Sequence, residues 1–263
     1  MPVPVLRVDA FADRPFGGNP AAVCFLEAPR DDGWMQQVAA EMNAGATAFI
    51  EKQDGEYRLR WFSVAAELEL CGHGTLASAH ALWETGRLAA GEAARFHTRA
   101  GLLTCRRRDD WIEMDFPAEP AAAAEPPAAL LDAMGARPRW VGRNRMDFLV
   151  ELADEAAVRA LAPDLARLRT VEARGLIVTA RADDGAADFV SRFFAPRVGI
   201  DEDPATGSAH CALGPFWGER LDKGGLVGRQ VSRRGGLVRV ALEGDRVRLA
   251  GQAVTVLRGQ LVD

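Results

Sequence analysis

The stretch Asp201-Glu202-Asp203-Pro204-Ala205-Thr206-Gly207-Ser208-Ala209-His210 sets three acids and a proline directly before small residues that open a helical pattern. Pro204 favours an extended or turn conformation at Asp203. Thr206, Gly207 and Ser208 fall at the head of the helix, where the first backbone N–H groups have no intrahelical acceptor. Such a terminus attracts carboxylates and other anions. A second stretch, Cys71-Gly72-His73-Gly74-Thr75 running into Leu76-Ala77-Ser78-Ala79-His80-Ala81-Leu82-Trp83, has the same layout of small residues, polar heads and apolar helix. Two helix starts of one kind suggest two halves facing one ligand. Capping and anion binding use the same N–H groups, so both readings of these residues stand at this level.

Outward from these two starts, the chain alternates short strands with few helices. Val3 to Phe11 and Ala21 to Leu26 read as strands joined by the turn-rich loop Ala12 to Pro20. Asp31 to Met42 has helical spacing, with Trp34, Val38, Ala39 and Met42 on one side, and stops at Asn43-Ala44-Gly45. Strands follow at Thr47 to Glu51 and Tyr57 to Phe62, then the buried helix Cys71 to Trp83, then strands at Arg95 to Thr98, Leu102 to Arg106 and Trp111 to Phe116. The Pro/Ala-rich tract Pro117 to Pro127 reads as a linker and sets domain ranges of 1–119 and 120–263.

The second half repeats the plan. Strands are expected at Trp140 to Gly142, Met146 to Leu152, Leu176 to Thr179 and Asp188 to Phe194, with a helical hairpin between Glu155 and Leu168. Gly214-Pro215 should kink or end the helix that follows Ser208, unless neighbouring groups take up the freed carbonyls. The alternating tail from Val231 to Leu257 reads as a β-meander closing the second domain.

With 263 residues, 48% of them hydrophobic, the chain can bury a sizeable core, and a formal charge of −5 gives no general attraction to nucleic acid or anionic lipid. A small-molecule ligand is expected. The N-terminus lacks a signal-peptide pattern and no apolar run could span a membrane, so the cytoplasm is the expected location. Cys24, Cys71, Cys105 and Cys211 show no CxxC pairing and are too dispersed for a disulfide framework or a zinc signature; they read as buried small hydrophobes.

The chain resembles the family of the phenazine-biosynthesis isomerase PhzF, itself similar to diaminopimelate epimerase in fold. The resemblance rests on Phe11 to Val23 with Gly18-Asn19-Pro20, Glu67 to Thr75 around Cys71-Gly72-His73-Gly74, Arg192-Phe193-Phe194-Ala195-Pro196 leading to Gly199-Ile200, and Glu202 to Ala209. It implies an α+β fold of two similar domains, each a curved sheet or barrel around a central helix, with the site in the cleft between them. It also implies a homodimer and a cofactor-independent proton transfer, as in isomerisation or epimerisation. No metal or nucleotide signature in the sequence contradicts that.

The family's proton-shuttling glutamate sits in a segment that usually reads Asn-Leu-Ser-Glu-Thr; here the matching residues are Asn43-Ala44-Gly45-Ala46-Thr47, so Ala46 replaces the acid. A methyl group carries no proton, and positioned acid–base catalysis contributes roughly 10²- to 10⁴-fold. Glu41, the nearest carboxylate in sequence, reads better as a solvated helix face. By the resemblance, His73 and Asp203 are the remaining candidates for proton transfer, and Gly72, Gly74, Thr75, Thr206, Gly207 and Ser208 those for binding a carboxylate. Read without it, residues such as His73 and Asp203 are more often capping or core-polar residues. Cys71 matches the place of a catalytic thiol in the related epimerases, but a second cysteine would fall near Ala205, so packing is its expected role. His80, His210 and Cys211 read as structural. Three functions follow: an isomerase or epimerase acting on a small carboxylate-bearing metabolite, a non-catalytic metabolite-binding homologue, and a structural dimer.

Overall fold

The alternating run at the start of the chain forms β1 (Val3–Ala10), which turns back into β2 (Asn19–Leu26) as an antiparallel pair. In the loop between them Phe11 (φ 61°), Phe16 (φ 69°) and Gly18 (φ 59°) adopt left-handed backbone, and the buried Asp9 carboxylate accepts the Phe16 N–H at 2.7 Å. A side chain at Gly18 would lie 2.1 Å from the Ala10 carbonyl oxygen, so only glycine fits this turn. The chain, seen in a computed structural model that describes residues 2–53 and 55–262, divides into two units: Met1–Asp115 with Ala250–Asp263, and Phe116–Leu249.

In the first unit, α1 (Asp32–Met42) is capped by Asp31, whose carboxylate accepts the Trp34 N–H at 2.9 Å, and it ends at Asn43 in the left-handed conformation. There follow β3 (Ala46–Gln53), β4 (Glu56–Phe62), β5 (Glu67–Leu68), α2 (Gly72–Glu84), β6 (Ala94–Thr98), β7 (Gly101–Arg108) and β8 (Trp111–Pro117). The sheet runs β1–β2–β3–β4–β6–β7–β8, parallel at β2/β3 and β4/β6 and antiparallel elsewhere. Strand alternation sorts its side chains. Ala22, Cys24, Phe49 and Phe62 pack with Met35 and Ala39 of α1, whereas Ala46, Ala48 and Trp61 turn to the opposite face, where Trp61 meets Gly74 of α2. Gly74, Ala77, Ser78, Ala79 and Ala81 are all buried, which lets α2 approach β1, β2 and β3 on more than one side.

The second unit contains β9 (Ala122–Ala123), α3 (Ala128–Met134), β10 (Trp140–Arg143), β11 (Asp147–Glu151), α4 (Glu155–Ala160), α5 (Leu165–Leu168), β12 (Gly175–Arg181), β13 (Phe189–Ala195), β14 (Ile200–Asp203), α6 (Gly207–Leu221), β15 (Gly225–Gln230), β16 (Gly236–Glu243) and β17 (Arg246–Gly251). The Pro/Ala tract is therefore more than a linker: it holds β9, which pairs with β10, and leads into α3. On one face of the sheet Phe148, Val150, Leu176, Val178, Ala180, Val190 and Phe194 form a core with α3, α4 and α5. The alternate residues Thr179, Phe189 and Ser191 face α6, where the Trp217 indole N–H donates to Thr179 Oγ1 at 2.9 Å and the Trp217 ring stacks on Phe189.

One expectation is resolved by its own condition and one is corrected here. α6 runs through Pro215 without ending, because the Cys211 carbonyl that Pro215 leaves without a donor accepts the Glu119 N–H at 3.0 Å. The last strand, β18 (Ala253–Leu261), does not close the second domain. It pairs antiparallel along the whole of β1 and so belongs to the first unit. Among the described residues no helix is long and apolar enough to cross a membrane.

Candidate functional site

In the first unit the predicted residues gather at the start of α2. Cys71 is the N-cap: its Sγ accepts the Gly74 N–H at 3.4 Å and lies 3.5 Å from His73 Nδ1. Thiolate is favoured at a helix N-terminus and beside an imidazole, so both contacts bear on the reactivity of this sulfur. Thr75 is buried, and both its hydroxyl (2.7 Å) and its N–H (3.0 Å) donate to the Cys71 carbonyl. Those bonds close the first turn. Of the predicted binders here, Gly72 and His73 stand at the half-exposed end of the helix, while Gly74 and Thr75 lie beneath them.

The strand that carries position 46 begins beside this turn. A Cβ on Gly45 would sit 3.3 Å from His73 Nε2 and 2.6 Å from Asn19 Oδ1, so the imidazole, the Asn19-Pro20 segment and the start of β3 share one corner. Ala46 is fully buried, and its methyl points to the face that carries α2. Two further groups were not singled out from the sequence. The Trp61 indole nitrogen and Thr47 Oγ1 are both buried with no hydrogen-bond partner among the described residues. Trp61 lies against Gly74, whose Cβ would be 3.1 Å from Nε1. Trp61 lies outside every motif and Thr47 closes the Asn43-to-Thr47 segment with no role assigned to it, so only the strand periods of β3 and β4 could have brought the two to notice.

In the second unit Asp203, Thr206, Gly207 and Ser208 are brought together, and the start of α6 is built differently. Thr206 is the N-cap by position but makes no side-chain cap; its hydroxyl donates instead to Asp203 Oδ2 at 2.5 Å. Gln230, fully buried at the end of β15, closes the corner: its Oε1 accepts the Thr206 N–H at 2.8 Å and its Nε2 donates to the Asp203 carbonyl at 2.6 Å. Ser232 adds a bond to the Pro204 carbonyl at 2.7 Å. Asp203 is thereby buried and oriented, Gly207 begins the helix, and Ser208 is half-exposed in its first turn. The signal for Gln230 is its register, since Leu226, Gly228 and Gln230 alternate as the inward positions of β15.

His210 lies wholly inside this unit. Its Nδ1 donates to the Thr206 carbonyl at 2.8 Å, its Nε2 has no partner in the protein, and burial pulls its pKa down to about 4 against the raising effect of that bond. It is a neutral structural residue. Burial likewise pushes the Cys24 and Cys211 thiols up to about 12 and raises Cys105 as well. Among the described residues no group of three or more His, Cys, Asp or Glu side chains could hold a metal ion.

The likeness to known proteins runs over nearly the whole chain. The model of the PhzC-PhzF family of phenazine biosynthesis-like proteins matches residues 8–259. A protein of Halalkalibacterium halodurans named an uncharacterized isomerase is 49% identical over 263 residues, spanning 100% of this chain and 99% of that one. The crystal structure of a PhzF-family phenazine biosynthesis protein from Enterococcus faecalis superposes with a TM-score of 0.95 at 37% identity, covering 100% of both chains. A crystal structure from Agrobacterium radiobacter, named a probable proline racemase, shares the fold at a TM-score of 0.66 and 14% identity, over 99% of this chain and 93% of that one.

Proposed function

Because this chain belongs to the phenazine biosynthesis-like PhzC-PhzF family, we propose that it is an isomerase or epimerase. It moves a proton, without a cofactor, at an activated carbon of a small carboxylate-bearing metabolite. The observation that carries this reading is the corner formed by His73, Gly45 and Cys71, in which a ring nitrogen lies at the start of the strand whose first side chain, Ala46, has lost the acid. A ring nitrogen of His73 accepts the proton. The substrate carboxylate stabilises the charge left on carbon, and the proton returns to the same or a neighbouring carbon. Cys71 is the group that orients the imidazole. Asp203 holds a polar group of the metabolite, and the N–H groups of Gly72 and His73 and of Gly207 and Ser208 are assigned to anionic groups. Homodimerisation and a cytoplasmic location complete the proposal.

The test is solvent deuterium incorporation into a panel of amino and hydroxy acids, followed by NMR. Wild type is expected to label at least one of them, and His73→Ala and Asp203→Ala to lose most of that rate. No labelling across the panel, or unchanged labelling in both variants, refutes the assignment. Ala46 itself favours a second reading, a metabolite-binding homologue without turnover. Calorimetry that finds tight binding of an acid that is never labelled would select it.

A further inference from the structure

Gln230 carries an argument of its own. A long amide with no exposure has given up its rotamer freedom and its water, so its polar atoms must be matched inside the protein. They are matched in one sense only. Oε1 accepts the Thr206 N–H at 2.8 Å, while Nε2 donates to the Asp203 carbonyl at 2.6 Å and to Thr206 Oγ1 at 3.2 Å. Turning the amide over would set donor against donor at Thr206 and acceptor against acceptor at Asp203. With its oxygen already accepting from Gln230, the Thr206 hydroxyl is left to donate, and it does so to Asp203 Oδ2 at 2.5 Å.

The corner is therefore wired from the sheet outward. Cys71 caps α2 with its own sulfur, but Thr206 has turned away from the α6 terminus, and the segment Asp203 to Thr206 is held by Gln230 at both ends and by Ser232 at Pro204. Gln230 is itself fixed in β15, which pairs with β13 at Ser191.

We propose that Gln230 is a positioning residue: through Thr206 it sets the direction of the Asp203 carboxylate and the aim of the Gly207 and Ser208 N–H groups at an anion. The inference rests on the reading that this corner meets the metabolite. Its effect is indirect, so it is expected to act on the same quantity as Thr206 rather than to add to it.

The experiment uses the full chain with Gln230→Leu, Gln230→Met, Thr206→Val and the double variant Gln230→Leu/Thr206→Val. Formate, a simple carboxylate probe, is titrated while the amide resonances of Gly207 and Ser208 are followed, and deuterium labelling of the acid panel and the melting temperature are measured in parallel. Gln230→Leu is expected to weaken the formate response roughly 10- to 100-fold, as loss of bonds in a charged network implies. The double variant is expected to lose no more than the worse single one. Gln230→Met keeps the length of the side chain and loses both polar atoms, so it should fold if the shorter leucine does not and still show the weakened response.

A folded Gln230 variant with wild-type formate affinity at Gly207 and Ser208 and a lowered melting temperature makes the residue merely structural and overturns the proposal. So do additive losses in the double variant. Failure of wild type to respond to formate at these amides overturns it too, since a corner that takes no carboxylate has nothing to position. Wild type that responds to formate but labels no acid refutes the isomerase reading and leaves this one to stand on the variants.

Discussion

Acid should weaken this protein through one buried imidazole, and the size of the effect follows from its surroundings. His210 gives its Nδ1 proton to the Thr206 carbonyl, and its Nε2 faces Gly228, where a Cβ would come within 2.8 Å. A second proton on that ring would be a buried charge with no acceptor, in the first turns of a helix whose dipole already opposes it. Burial therefore pulls the pKa to about 4 in the folded state, against 6.5 for the ordinary group. The sign follows from proton counting: between these values the unfolded chain binds more protons, so the contribution is fully present above pH 6.5 and is lost as the pH falls towards 4. Lowering the pH from 7.5 to 5.0 should cost about 2 kcal/mol through this residue alone. His80, lowered by its own burial, adds a loss of the same sign, so the comparison must be with a variant. His210→Asn keeps a donor near Nδ1 and cannot titrate. Urea denaturation followed by tryptophan fluorescence at the two pH values should show wild type losing about 2 kcal/mol more than the variant. Equal losses in both proteins would refute the reasoning.

Three other outcomes follow from the same geometry. Ala46→Glu places a carboxylate on the face that carries α2, near His73, and should raise deuterium labelling by ~10²- to 10⁴-fold; an unchanged rate would show a corner that no longer accepts the acid. Gly228→Ala drives a methyl to 2.5 Å from the Phe189 ring and should destabilise by roughly 1–3 kcal/mol, whereas Gly224→Ala, with open space around it, should be neutral; equal melting temperatures would refute the packing argument. Iodoacetamide should modify Cys71 before the other cysteines in the folded protein: all four are buried, but Cys71 caps a helix start whose next two residues are half-exposed, whereas burial raises the pKa of Cys24, Cys105 and Cys211. Mass spectrometry finding another site first would overturn this order.

Most of the strands, α1 and both helix starts were legible in the sequence because their signals are local: Asp31 before a helical period, Asn43 after it, alternation along Val3–Ala10 and the apolar run Leu176 to Thr179. What was missed is non-local. Pro215 is a helix breaker until the Glu119 N–H takes the Cys211 carbonyl, and nothing near Pro215 announces that donor. The alternation of Ala253–Leu261 identifies a strand, but only its register against Val3–Ala10 identifies the partner. The two helix starts make the same point at the candidate site. As sequence, Cys71-Gly72-His73-Gly74-Thr75 and Ala205-Thr206-Gly207-Ser208-Ala209 look alike, small residues before an apolar helix. The first turn is closed from within, by the Cys71 sulfur and carbonyl, and these bonds lie at the ordinary spacing of a cap. The second is closed from outside, by an amide on β15, whose Gly-Leu-Val-Gly-Arg-Gln run carries no clear strand signal in the sequence. A local cap survives any change elsewhere in the unit, whereas a corner held from the sheet has the direction of its carboxylate set by strand pairing. Substitutions along β13 and β15 should therefore disturb Asp203 in a way that no equivalent change in the first unit disturbs the turn that carries His73.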